Sequence, residues 1–141
     1  MHRLPKIFFL LIFLLLAALP ATAADPFYED LYNQGVQAQD NDAARAAKVF
    51  RLACFGLLEE EVQLANCLTR LAVAQGDVDD KEGFRKTVQR LAVVEQRFRA
   101  FSDTALGGEL KRRLEAHLVR LIPQEELARI VMFRHLAKPS P

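Results

Sequence analysis

The sequence predicts an all-α fold built of antiparallel helical hairpins, and three observations carry that prediction. Apolar residues recur at spacings of three and four along nearly the whole chain, while alternation with period two is hard to find. The periodic segments are short and separated by tight polar joints, as in helices that return on one another. Aspartates, glycines and a proline stand at those joints, where helix caps and breaks need them.

Phe27, Leu31, Gly35 and Ala38 form the first stripe, which ends at Asp40-Asn41-Asp42, residues suited to a turn and an N-cap. Ala46, Phe50, Ala53, Cys54 and Leu57 form the second. The joint that follows is placed near Leu58 to Glu60, because Glu59-Glu60-Glu61 suits the positive end of a new helix. Leu64, Cys67, Leu68 and Leu71 make the third stripe, expected to stop at Gln75-Gly76-Asp77 with the glycine left-handed. A fourth helix, capped by Asp79 or Asp80, carries Phe84, Val88, Leu91, Val94 and Phe98. Beyond the breaks at Ser102-Asp103 and Gly107-Gly108, Leu110, Leu114, Leu118 and Leu121 give a fifth. Pro123 then opens a separate sixth helix over Gln124 to Leu136, with Leu127, Ile130 and Val131 inward. Residues 138–141 read as a disordered tail.

Before the first stripe, Arg3 and Lys6 precede an uncharged apolar run from Ile7 to Leu19, followed by Ala21-Thr22-Ala23. As a helix that run is about 20 Å long, short of a bilayer core of roughly 30 Å, so it predicts a signal peptide cleaved between Ala23 and Ala24. The expected organisation is residues 1–23 as signal peptide, 24–101 as two hairpins and 102–137 as a two-helix cap. The mature protein would be periplasmic or secreted, with no stable membrane insertion.

Cleavage removes two of the 19 basic residues, leaving 17 against 18 acidic ones, so the mature net charge is about −1 and polyanion binding loses its support. The charge is unevenly placed. Residues 24–83 hold 5 basic and 12 acidic side chains, and residues 84–141 hold 12 and 6. A dipolar chain of this kind can associate with itself through its acidic and basic halves.

Sliding the chain on itself by 34 residues aligns Ala38 with Ala72, Phe50-Arg51 with Phe84-Arg85, Leu57 with Leu91 and Glu61 with Glu95. With Tyr32-x-x-Gly35, Ala46-x-x-x-Phe50-x-x-Ala53 and the turn Gln75-Gly76-Asp77, this resembles the tetratricopeptide repeats. The resemblance covers about Phe27 to Phe98. In the second copy Thr69, Asp80 and Thr87 replace Gly35, Ala46 and Ala53. It implies an α-solenoid fragment of two hairpins with C-terminal capping helices. It also implies a groove lined by the first helix of each hairpin, here Tyr32, Val36 and Gln39, then Asn66, Arg70 and Val73, taking a protein or peptide segment. A terminal cap filling that groove is the competing expectation.

Little else has the pattern of a reactive site. Cys54 and Cys67, the only cysteines, fall within two residues of facing each other across a hairpin pivoting near residue 59 or 60. Export favours a disulfide, whereas the small-residue series around Cys54 favours two compact core side chains, and the sequence leaves both open. No metal site is expected, since no His or Cys pair has ligand spacing, and no cofactor is implied. His117 reads as an edge-of-core residue, a general base only if a nucleophile lay beside it. The basic stretch Arg97, Arg99, Lys111, Arg112 and Arg113 reads as a solvated face. An interaction module is thus the expectation, with a self-associating structural subunit, or a small helical enzyme or ligand carrier, as its rivals.

Overall fold

A computed structural model describes residues 25–102 and 104–138. The expected signal peptide, its cleavage point at Ala23 and Ala24, and residues 139–141 lie outside the described residues. The described residues are all-α: α1 (Pro26–Ala38), α2 (Ala43–Gly56), α3 (Glu61–Asp77), α4 (Lys81–Phe98), α5 (Gly108–Leu121), α6 (Gln124–Arg129) and a final 3-10 helix (Val131–Leu136). Each of the first four packs on the next, and α5 returns to lie against α3 beside α4.

The starts of these helices follow from their caps. Asp25, Asp42 and Asp80 each accept a backbone N–H from the first turn, those of Phe27, Arg45 and Gly83 respectively. Glu60 occupies the cap of α3 without a side-chain bond, leaving Glu61 as the acid in the first turn. Two aromatic residues fix the first hairpin. Phe50 is fully buried against Gly35, and Tyr28 stacks on Gly56, where a side chain at the glycine would collide with the ring.

The expected left-handed glycine after α3 is corrected. Gly76 is helical, and the left-handed residue of that turn is Asp79, with φ of 58°. Gly76 is small for another reason: the imidazole of His117, arriving on α5, fills the space a β-carbon would take. Aspartate tolerates the left-handed conformation better than most side chains, so the turn can form there.

The 34-residue match persists in the core, although the second hairpin is longer. Phe50 and Phe84 are both fully buried, yet α3 has 17 residues against 13 in α1, and the capping aspartates Asp42 and Asp80 are 38 apart. Four added residues make close to one helical turn, which keeps the apolar face in phase while moving the start of the helix.

The sixth helix is also corrected. It stops at Arg129, Ile130 turns extended (ψ 102°), and the chain resumes as the 3-10 helix, leaving Val131 70% exposed instead of in the core. Phe133 replaces it there, packed edge-on against Phe101 at 5.8 Å. Phe98, expected inward at the end of α4, is exposed. Lys138, placed in the tail, donates its backbone N–H to Gln124 Oε1.

Arg85 on α4 holds α6 in place by donating to Glu126, and this bond keeps the Glu126 carboxyl below its ordinary range. A depressed carboxylate adds stability above its unfolded pKa, and that stability is lost as pH falls through the lower folded value. Glu126→Gln should therefore be slightly less stable than wild type at pH 7, with the difference closing as pH falls below the ordinary carboxyl range. Urea midpoints measured between pH 3 and 7 check this.

Candidate functional site

The six groove positions do lie along the facing sides of α1 and α3, but they do not form one open channel. Val73 is fully buried and Gln39 nearly so. The upper end is closed by α5, which is anchored by a row of side chains one and two turns apart. Arg113 donates to Asp40 after α1 (2.9 Å) and to Asp77 at the end of α3 (2.5 Å). Burial opposes the charge on Arg113, but its bonds to Asp40 and Asp77 prevail and hold its proton more tightly than usual.

His117 and Arg120 complete the closure. Arg120 donates to the carbonyl of Gly76 (2.8 Å), to Asp79 Oδ1 (2.9 Å) and to Nδ1 of His117 (3.1 Å). That leaves the imidazole proton on Nε2, where it faces Asp77 Oδ1 at 2.9 Å. Both ring nitrogens are occupied and the ring is wedged between Gly76 and Phe84, so His117 latches the α3–α4 turn.

The lower end is open. A cavity of about 240 Å³ lies between α1 and α3, lined by Glu29, Tyr32, Asn33, Gln63 and Asn66, with Leu57 as its buried floor. Of the expected groove residues, Tyr32 and Asn66 reach it. Arg70 sits just above, where its Nε donates to the Tyr32 hydroxyl (3.0 Å) and an Nη to Gln39 Oε1 (2.7 Å), so the aromatic wall is held in place. Val36 is half-buried between the two regions. Glu29, Asn33 and Gln63 were missed by the sequence reading. Glu29 and Gln63 lie one turn toward the N-terminus from Tyr32 and Asn66, and Asn33 lies one turn before Val36, so extending each stripe by three residues would have found them.

Beneath the floor, Cys54 on α2 and Cys67 on α3 are joined by a disulfide with α-carbons 5.5 Å apart, and both are fully buried. The Cys67 sulfur carries no proton and only abuts the Phe50 carbonyl oxygen, 3.4 Å away. This bridge pins the two helices that meet at Leu57.

No family model matches this chain, and no curated protein or solved structure is significantly similar to it.

Proposed function

We propose that this chain is an exported interaction module that holds an extended protein or peptide segment in the pocket between α1 and α3. The open cavity itself carries the proposal. One aromatic ring, one carboxylate and three amide side chains converge on a site whose far end is closed. Asn33, Gln63 and Asn66 can each donate and accept, which suits the alternating N–H and C=O groups of an extended backbone. Tyr32 offers apolar area with a fixed orientation, and Glu29 favours a basic residue in the bound segment. The resemblance of the two hairpins to tetratricopeptide repeats supports the same use of these helix faces. The leader-like residues 1–23 support export, where a buried disulfide would persist.

A selection from a random peptide display library on the immobilised chain tests the proposal. Selected peptides are expected to bind Tyr32→Ala and Asn66→Ala about ten-fold more weakly, a loss of about 1.4 kcal/mol, while both variants keep their helical circular dichroism. A library that yields no binder, or binders indifferent to both substitutions, overturns it.

A further inference from the structure

Part of the charge on each half of the chain is neutralised by the other half. Asp40, Asp77 and Asp79 of the acidic half are bonded by Arg113, His117 and Arg120 of the basic half. Among the described residues, Glu59, Glu60 and Glu61 at the α2–α3 turn make no ion pair, and neither do Arg99 and Arg129, although Arg129 is close enough to Glu126 to favour its charge.

Each of these charge clusters lies beside exposed apolar surface. At the α2–α3 turn Phe55, in the last turn of α2, is 67% exposed and Leu58, just beyond it, 53%. Between the second half of α4 and the C-terminal segment lies a cavity of about 540 Å³, lined by Ala92, Ile130, Val131 and Met132 and rimmed by Arg99 and Arg129. The one acid in this groove, Glu95, is already engaged. It accepts the backbone N–H groups of Phe101 and Ser102 and the Ser102 hydroxyl.

We infer that the α4 groove receives the α2–α3 turn of a second copy of this chain. Phe55 and Leu58 enter the cavity, and Glu59 to Glu61 meet Arg99 and Arg129 at its rim. Sign and apolar character match between two surfaces of the same polypeptide. Burying Phe and Leu supplies part of the affinity, and the screenable charges supply the rest together with register and orientation. Because knob and groove are different surfaces, the contact is heterologous. Every added copy presents a fresh knob at one end and a fresh groove at the other, so growth is open-ended unless rotation closes a ring. The knob adjoins the α1–α3 pocket, whose floor Leu57 lies in the same turn, but the inference does not rest on the function proposed above.

Sedimentation velocity on the purified chain, over a range of concentrations and at roughly 50 and 500 mM salt, tests this. The expected result is an average mass that rises with concentration past that of a dimer at low salt and falls back to the monomer at high salt. Two charge-reversed variants, R99E/R129E and E59K/E60K/E61K, should each associate at least ten-fold more weakly, and mixing them should restore association, because each now complements the other. A chain monomeric under all conditions, association unchanged in either variant, or a mixture that stays monomeric overturns the inference.

Discussion

Reducing the Cys54–Cys67 disulfide is expected to lower the unfolding free energy by about 3 kcal/mol. The bridge closes a loop of fourteen residues, and constraining a loop of that size in the unfolded chain is worth about this much in the chain-entropy model. For a domain near 115 residues the melting temperature should fall by roughly 10–15 °C. Thermal unfolding followed at 222 nm, with and without a phosphine reductant, checks it. Cys54→Ala/Cys67→Ala should behave like the reduced chain and lose further stability from the packing atoms removed at two fully buried sites. If reduction leaves the melting curve in place, the bridge is not closed in solution. The pocket makes a second readout. Its floor, Leu57, lies three residues after Cys54, so loosening the α2–α3 turn should weaken the proposed peptide binding before the helices melt.

All four hairpin helices could be read from apolar stripes, and α2 and α4 are written a second time in a capping aspartate. Asp42, with Ala46, Phe50 and Ala53 at helical spacing, leaves no reasonable alternative to α2. Beyond α4 the second signal fails. Pro123 marks the start of α6 correctly, but nothing in Leu127, Ile130 and Val131 shows that the chain breaks at Ile130, because the break is set by the distant ring of Phe101 on which Phe133 packs. Gly76 shows the same limit. A glycine at the end of a helix favours a left-handed cap on local grounds, and only the arrival of His117 on α5, with its bond to Asp77, gives the residue its actual role.

The candidate site was half legible for a related reason. Tyr32, Asn66 and Arg70 were found because the facing sides of α1 and α3 follow from periodicity alone. Which end of that surface stays open depends on where α5 lies, and α5 is steered by charge. Arg113 reads as part of a solvated face in the sequence, and nothing there singles out Arg120, since the carboxylates that receive them are 36 and 41 residues away. Electrostatic complementarity over such separations leaves no periodic trace.

The contact of Gly35 with Phe50 gives the other large effect, and it includes a change of sign. Phe50 is fully buried and lies edge-on to Tyr32 at 5.9 Å, so Phe50→Ala should cost about 3–5 kcal/mol through lost burial and the cavity left behind. A β-carbon built on Gly35 would stand 2.6 Å from the Phe50 ring, and the ring, enclosed on all sides, has no room to retreat. Gly35→Ala in the wild-type background therefore meets two opposing terms. Alanine is better than glycine inside a helix by about 0.5–1 kcal/mol, and overpacking costs about 1–3 kcal/mol, so a net loss is expected. In the Phe50→Ala background the obstacle is gone, the added methyl occupies part of the cavity, and the same substitution should stabilise by up to about 1 kcal/mol. Urea unfolding of the four chains gives the coupling energy directly. If Gly35→Ala destabilises both backgrounds equally, the glycine is required by something other than the ring. A reversal of sign means that the glycine in Tyr32-x-x-Gly35 is there to let Phe50 approach the α1 backbone. The same approach seats Phe50 against Tyr32, so the double variant should recover stability without recovering the pocket wall.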